Sequence, residues 1–307
     1  MTDLQAFIEL MPSPVIVKND DHRIVLVNDH ACELFQQSRE LLTVEHAENL
    51  FAPAETRVFH DADDRVFASG AIDEREERLT DARGSVRYLI TRKQRITIGG
   101  VAHLIAVMTD VTAYREAEAR SRHLALHDAL TGLPNRILFW ERIERAVSRN
   151  PGKNALLFID LDNFKAVNDN YGHATGDALI RGFVDRLSYI TRSSDTVARI
   201  GGDEFAILLT ELSDNSVVGA VCARIIEEAA QLSMPLGNDV RIGASIGVVL
   251  PGCGLADQAE MLRRADVALY QAKRDGRGCW RAYMEEFDAA MHDRRAKHAG
   301  HLDTAVF

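Results

Sequence analysis

Residues 155–159 read Ala-Leu-Leu-Phe-Ile and are apolar at every position. A strand of this kind is typical of the middle of a sheet, where helices cover both faces. Apolar residues then recur every three or four positions, as on one face of a helix, at Leu179, Phe183, Leu187 and Ile190. Further elements are expected as helices near 217–230 and 260–274 and a strand at 240–250. Strands and helices therefore alternate in the second half of the chain.

The first 112 residues show a different pattern of short strands joined by polar turns. Val15–Val17 and Ile24–Val27 flank the turn Asn19-Asp-Asp-His22, as expected of a β-hairpin. Later strands are expected at 86–91, 95–98 and 101–108, whereas residues 31–75 are mixed and more helical. The simplest interpretation is one antiparallel sheet with short helices over it.

Residues 113–127 contain no Gly or Pro and are rich in charge, which predicts a helix between the two halves. Apolar or small residues follow near-heptad spacing at Val111, Tyr114, Ala117, Ser121 and Leu124. This weak seam allows a short two-stranded contact at best. A solvated linker helix is the alternative.

The composition limits the classes of protein to consider. A chain of 307 residues is long enough for about two domains. Its 36 basic and 46 acidic residues give a net charge of −10, which argues against general binding to nucleic acid or an anionic membrane. The four cysteines (Cys32, Cys222, Cys253 and Cys279) are scattered, so neither a disulfide framework nor a zinc site is expected. No signal peptide or membrane span is evident, and a cytoplasmic protein is expected.

A second hairpin, Thr196–Leu209, places two glycines and two acids at its tip, in the order Gly201-Gly202-Asp203-Glu204. Asp160 directly follows the apolar strand and would converge with these acids if that strand ended beside the tip. Three converging carboxylates repel unless a cation offsets them, and their oxygens suit Mg²⁺ bound together with phosphates. Glycines without Cβ atoms would let a nucleotide approach the backbone. A β-turn with solvated acids is the alternative.

The segment Arg199-Ile-Gly-Gly-Asp-Glu-Phe205 resembles the signature of the GGDEF family, the bacterial diguanylate cyclases that condense two GTP into cyclic di-GMP. Other segments resemble the family's motifs in the same order along the chain: 128–136, 158–165, 168–173, 176–177 and 265–273 with Arg277. The resemblance covers residues 124–284. It implies an α+β fold in which this domain is a palm-like sheet with flanking helices, as in class III nucleotide cyclases and polymerase palms.

The resemblance also implies a metal site and a base. Asp160 and Asp203 would bind Mg²⁺ (or Mn²⁺), the Leu161 carbonyl would complete the site, and Glu204 would join a second ion. Asp203 is the candidate base for the ribose 3′-hydroxyl. It would either take the proton itself or hold the metal that lowers the pKa of the hydroxyl.

The remaining matched positions would bind GTP. Lys165 would lie against the triphosphate, and the nearby glycines Gly201 and Gly202 would leave space for the nucleotide. The guanine or its ribose would be held by Asn168, His173 and Asp177, and the terminal phosphates by Lys273 and Arg277. Individually, His173 could be a packed core histidine, and Lys273 with Arg277 could be an exposed helix face. Asp162 is interpreted as structural, binding a backbone amide or orienting its neighbours.

One such domain offers one GTP, so the resemblance implies a homodimer whose two half-sites face each other. Arg192-Ser-Ser-Asp195 lies in the position of the family's inhibitory RxxD site, which binds cyclic di-GMP. Arg192 would grip a phosphate or a guanine edge, and Asp195 would accept from guanine nitrogens. A surface ion pair is the alternative.

The N-terminal region resembles a PAS sensor domain over residues 4–112. The segments that show this resemblance are Ser13–Val17, Ile24–Asn28, the hairpins expected within 86–108 and the exit motif Thr109-Asp-Val-Thr112. PAS domains bind haem, flavin or small metabolites, or only dimerise, and the ligand here stays unknown. Possible haem ligands are His30, His46, His60 and His103, although no spacing singles one out.

The expected organisation is a PAS-like sensor at 1–112, a linker helix at 113–127, a GGDEF domain at 128–285 and a helical tail at 286–307. That tail resembles connectors into EAL phosphodiesterase domains, and a capping helix is the alternative. The predicted function is a GTP-using diguanylate cyclase regulated by its sensor domain and its product. The alternative is a catalytically silent receptor for GTP or cyclic di-GMP that controls an effector such as an EAL phosphodiesterase.

Overall fold

The computed structural model describes residues 2–150, 152–232, 242–252 and 258–288. The chain forms two compact units, Met1–Ser121 and Arg122–Phe307. The boundary lies inside the helix α6 (Thr112–Leu126), which includes most of the predicted linker at 113–127. From residue 289 onward, the predicted tail at 286–307 lies outside the described residues.

The first unit is built on a five-stranded antiparallel sheet in the order β2-β1-β5-β4-β3. The strands are β1 (Val15–Lys18), β2 (Ile24–Val27), β3 (Asp73–Thr80), β4 (Val86–Ile98) and β5 (Val101–Asp110). The helices are α1 (Thr2–Glu9), α2 (Asp29–Phe35), α3 (Arg39–Val44), α4 (Ala47–Leu50) and α5 (Pro53–Ser69). The predicted antiparallel sheet with helices is confirmed, as is the hairpin formed by β1 and β2.

Two details of this unit differ from the sequence expectation. The strands expected at 86–91 and 95–98 are one strand, β4, which pairs with β3 on one side and β5 on the other. The strand β3 itself was not predicted because its sequence, Asp-Glu-Arg-Glu-Glu-Arg-Leu-Thr, is almost entirely charged. Its exposed positions alternate with inward ones, and the inward residues Glu77 and Leu79 are buried.

The inward Glu77 belongs to a group of four buried charges that we call the buried charge cluster. Asp63 of α5 is fully buried and lies 2.7 Å from Lys18 Nζ and 3.0 Å from Lys93 Nζ. Lys93 Nζ also lies 2.9 Å from a Glu77 carboxylate oxygen. Phe35, Phe51 and Phe59 line the same small cavity of about 30 Å³, which has room for one or two water molecules.

The second unit contains a five-stranded sheet in the order β10-β9-β6-β8-β7. Its strands are β6 (Ala155–Asp162), β7 (Thr196–Arg199), β8 (Glu204–Leu209), β9 (Gly243–Val249) and β10 (Trp280–Ala282). Its helices after α6 are α7 (Arg136–Arg149), α8 (Phe164–Tyr171), α9 (His173–Ile190), α10 (Ser216–Gln231) and α11 (Gln258–Arg274). β10 lies parallel to β9, and the other pairs are antiparallel.

Strand β6 lies in the middle of this sheet, as its sequence predicts. Leu157, Ile159 and Leu161 face the core formed with α9 and α10. Leu156 and Phe158 face the opposite core formed with α7 and α11. Because side chains alternate along a strand, Asp160 and Asp162 continue this second face and end β6 with two carboxylates.

The helix α6 has no buried residue along its length. Tyr114 is 71% exposed and Leu124 is 62% exposed, so the near-heptad positions face outward. Within the ranges that the structure describes, no helix combines the length and apolar character needed to cross a membrane.

Candidate active site

The acids at the end of β6 and at the tip of the β7–β8 hairpin lie together. Asp160 is the register partner of Glu204 across the antiparallel pair β6·β8. The Leu161 amide donates to the Asp203 carbonyl over 3.1 Å, which fixes the hairpin tip against the strand end. Because the N–H and C=O of one strand residue face the same neighbour, the Leu161 carbonyl is also directed to the hairpin side. The predicted convergence of Asp160, Asp203 and Glu204 is therefore what the fold produces.

The two glycines of the hairpin provide space and are not required by backbone strain, since neither has a positive φ. A Cβ at Gly201 would lie 2.9 Å from Glu204 Oε2, whereas a Cβ at Gly202 would meet nothing within 4 Å. A side chain at position 201 would therefore displace Glu204. One at position 202 would fill open space beside the acids.

The side chain of Arg199 binds the backbone of this glycine turn. Its guanidinium donates to the Gly202 carbonyl over 2.7 Å and to the Gly201 carbonyl over 3.2 Å. It also pairs with Asp128 Oδ1 at 3.0 Å. Burial alone would raise the pKa of Asp128, but hydrogen bonds from Thr131 and Arg199 outweigh it and lower that pKa. The segment that follows α6 is thus joined directly to the glycine turn.

The electrostatics of the acids favour a bound cation. Burial raises the pKa of the Asp160 carboxyl, and the charges of Asp203 and Asp162 add to the rise. Burial also raises the pKa of Glu204, together with the charges of Asp160 and Asp203. Excess negative charge on hard oxygen atoms is the donor chemistry that Mg²⁺ prefers. The residues present therefore fit the predicted metal.

An internal cation already neutralises part of this charge. Lys273, near the end of α11, places its Nζ 2.6 Å from Asp160 Oδ2. In this arrangement, no group of three His, Cys, Asp or Glu side chains in the described ranges is placed to bind a metal ion. Lys273 thus contacts the carboxylate predicted to bind metal.

The predicted nucleotide-binding residues lie on α8 and α9. Asn168 of α8 packs against Gly176 of α9, where any Cβ would overlap Asn168 Oδ1. This amide oxygen is buried and has no hydrogen-bond partner among the described residues. Asp177 follows Gly176 directly, so it lies one residue from the contact between Asn168 and Gly176.

Lys165 and His173 are exposed on the same two helices. His173 begins α9 at the surface, so the alternative of a packed core histidine is wrong. The helix-face alternative for Lys273 and Arg277 is also wrong. α11 ends at Arg274, and Arg277 lies beyond it with a φ of +63°.

The predicted RxxD segment forms the turn between α9 and β7. Asp195 accepts from the Arg192 amide over 3.0 Å and from the Thr210 amide over 3.1 Å. Both carboxylate oxygens therefore bind backbone within the fold. Arg192 is exposed, and no ion pair joins it to Asp195 in the part of the chain that the structure describes.

Comparison with protein families agrees with this architecture. The family model described as "Diguanylate cyclase, GGDEF domain" matches residues 125–279, about half of the chain. The chain belongs to the GGDEF family. A second model, described as a PAS fold, matches residues 8–116. The GGDEF match contains the acidic site, the nucleotide-binding helices and the RxxD turn.

Relatives of known sequence show the same domain. TpbB of Pseudomonas aeruginosa, named a diguanylate cyclase, is 35% identical over 217 residues, which are 66% of this chain and 50% of that protein. MucR of the same species, named a bifunctional diguanylate cyclase and cyclic di-GMP phosphodiesterase, is 42% identical over 187 residues, or 60% of this chain and 27% of MucR. The GGDEF chain described here thus spans half or less of these relatives.

Solved structures match the second unit. The GGDEF domain of TpbB superposes with a TM-score of 0.50 at 37% identity and covers 54% of this chain and 99% of that domain. The coiled coil and GGDEF domain of DgcB from Caulobacter crescentus, solved in complex with c-di-GMP, has a TM-score of 0.50 at 30% identity. It covers 56% of this chain and 93% of that chain. The predicted family and fold class are confirmed.

Two contacts around the site of the GGDEF domain were not identified from the sequence. Arg199 and Asp128 stand in recognised motifs, but their pairing joins residues 71 positions apart. Ser245 lies on β9 opposite Asp160 and bonds Asp162. For Arg199 the sequence signal is its position two residues before a glycine pair whose carbonyls can accept its hydrogen bonds.

Proposed function

We propose that this chain is a diguanylate cyclase that condenses two GTP into cyclic di-GMP and two pyrophosphates within a homodimer. The observation that carries the proposal is the convergence of Asp160, Asp203 and Glu204 at a glycine turn, in a chain of the GGDEF family. Such a site suits phosphoryl transfer, in which catalysis is largely positioning and charge neutralisation.

The proposed reaction is two displacements at phosphorus. The 3′-oxygen of each GTP forms a bond to the α-phosphorus of the other, while the bond from that phosphorus to the bridging oxygen breaks. Pyrophosphate leaves with the electron pair. Asp203 accepts the proton of the 3′-hydroxyl, and Lys165 offsets charge on the triphosphate. A metal held by Asp160, Asp203, Glu204 and the Leu161 carbonyl would supply neutralisation of phosphate charge.

The nucleotide would be held at both ends by this chain's own residues. Asn168 and Asp177 suit the guanine because carboxylate and amide oxygens accept from its N–H groups. His173 is exposed beside them and is assigned to the same end. Lys273 and Arg277 would bind the terminal phosphates, as charge-assisted donors do.

The homodimer follows from the stoichiometry, because one domain holds one GTP and the product needs two. The exposed near-heptad positions of α6, including Tyr114 and Leu124, support a contact between two copies there. The sensor unit would act through this helix.

Incubation with GTP and Mg²⁺ tests the proposed function. We expect cyclic di-GMP, identified by mass, and two pyrophosphates released for each molecule formed. The rate per chain should rise with protein concentration until the chain is fully dimeric by sedimentation. Absence of cyclic di-GMP from the dimeric protein would contradict the proposal, and GTP binding without turnover would favour the receptor function.

Arg192 is proposed to sense the product. Arg192→Ala should leave initial synthesis within about twofold and raise the inhibitory concentration of added cyclic di-GMP by at least about tenfold, as expected when a charge-assisted contact is lost. The measurement is the initial rate against added product, with the exposed Arg181→Ala as a matched control. Unchanged inhibition in Arg192→Ala would remove Arg192 from the product site.

A further inference from the structure

The segment that carries Arg277 has an unusual backbone. Gly276, Arg277 and Gly278 have consecutive positive φ angles of +113°, +63° and +59°. Glycine adopts such angles freely, but an arginine there is uncommon and needs a contact that holds the loop. The neighbours of this loop therefore determine where the Arg277 guanidinium is presented.

Asp162 supplies the buried contact. Its Oδ2 accepts from the Gly278 amide over 3.0 Å, and its Oδ1 accepts from the Ser245 hydroxyl over 2.8 Å. The Arg277 Nε lies 3.9 Å from Oδ1, too far for a hydrogen bond but close enough for attraction between the charges. Only 5% of Asp162 is exposed, so its carboxylate is shielded from solvent, whereas the Arg277 side chain is 60% exposed.

Other contacts hold the loop as well. The Arg277 amide donates to the Ala272 carbonyl over 3.3 Å, and side chains hold the start of the loop. Asp275 accepts from Gln271 Nε2 over 2.8 Å and from Arg281 Nε over 2.6 Å. These side chains lie at the surface, where solvent and salt screen charge pairs. The structural role expected for Asp162 from the sequence is confirmed by its bond to a backbone amide, and that amide directly follows Arg277.

We infer that Asp162 is a positioning residue that fixes Arg277 for binding the terminal phosphates of GTP. The inference rests on the proposed function. The two acids on one face of β6 contact different basic segments. Asp160 contacts Lys273, and Asp162, two residues on, holds the loop of Arg277. One strand end thus contacts both basic groups that are proposed to bind the phosphates.

The test compares a triphosphate with a monophosphate. In Asp162→Asn, one carboxylate oxygen is replaced by an NH₂ group, which donates hydrogen bonds. That group would face the Gly278 N–H or the Ser245 hydroxyl, which are also donors, so the loop should lose its anchor. We expect calorimetry to show about tenfold weaker binding of α,β-methylene GTP, which cannot be cleaved at that bond, and unchanged binding of GMP. An unfolded fraction of the protein would reduce the measured binding of both ligands equally. The ratio of the two affinities therefore reports only the positioning of Arg277.

Two further variants complete the experiment. Asp162→Asn added to Arg277→Ala should weaken the analogue by less than about twofold, since the two residues act through one contact. Asp275→Asn is the matched control, because it makes the same change at the exposed start of the same loop; its affinities should stay within about twofold of wild type.

The outcomes separate this inference from the proposed function. Equal weakening of analogue and GMP by Asp162→Asn, or independent effects of Asp162→Asn and Arg277→Ala, would overturn the positioning role. Should Asp162→Asn not fold, Gly278→Ala strains the same loop at its positive φ without a steric clash. In Gly278→Ala, weaker binding of the analogue with unchanged binding of GMP supports the inference. An equal change in the two affinities overturns it. A wild-type protein that binds the analogue no better than GMP would contradict the proposed function itself.

Discussion

Asp203→Ala is expected to lower the rate of cyclic di-GMP synthesis by about a thousandfold or more, because it removes the proposed proton acceptor and a proposed metal ligand. The fold should be unaffected. Asp203 contributes its backbone carbonyl to the bond from the Leu161 amide, and alanine keeps that carbonyl. The measurement is the initial rate at saturating GTP and Mg²⁺ in the dimeric protein.

The control for this prediction is Glu227→Ala, an exposed acid on α10 whose loss changes the net charge by the same amount. It should keep the wild-type rate. If Asp203→Ala retained more than about a tenth of the rate, another group would have to accept the proton.

Asp63→Ala is expected to destabilise the first unit by about 3–5 kcal/mol, the usual cost of removing one partner from a buried ion pair. Lys18 would keep no carboxylate partner from the buried charge cluster, while Lys93 would keep only Glu77. Both tryptophans, Trp140 and Trp280, lie in the second unit. Urea unfolding should therefore shift to lower urea by circular dichroism but not by tryptophan fluorescence.

The neighbouring Asp64→Ala is the matched control. The side chain of Asp64 is 67% exposed and contacts His22 Nε2 at 3.2 Å, so its loss should cost about 1 kcal/mol or less. Equal shifts in the two variants would contradict the role of the buried charge cluster.

The same cluster predicts a dependence on pH. Burial alone would raise the pKa of Asp63, but the Lys18 and Lys93 charges outweigh it and lower the pKa overall. A carboxyl whose pKa is lower in the folded state stabilises it above the unfolded value of about 3.9. This stabilisation is lost as the pH falls through the folded pKa, so wild type and Asp63→Ala should converge in acid.

Much of the fold was predictable because its strongest elements carry a clear pattern. The apolar strand β6 and the helix α9 follow directly from spacing, and the hairpin of β7 and β8 follows from its glycines. The charged strand β3 could not be predicted, since its register depends on pairing with β4. Glu77 is buried there only because Lys93 of the neighbouring strand neutralises it.

The site was predictable as a set of residues but not as a set of contacts. The convergence of Asp160 with Glu204 follows from two strand ends meeting. The contact of Lys273 with Asp160 depends on where α11 crosses the sheet, and no spacing reveals that crossing. The same is true of Arg277, whose position depends on a loop after the helix ends.

The ion pair between Lys273 and Asp160 has a thermodynamic consequence. A divalent cation that binds Asp160 must compete with the Lys273 ammonium group, which occupies that carboxylate in the metal-free protein. Once displaced, the same ammonium group is free for an anion. Under the proposed function, metal and nucleotide binding would therefore be linked, and each would raise the affinity for the other by the same factor. We expect such a site to bind metal or nucleotide alone more weakly than it binds the two together.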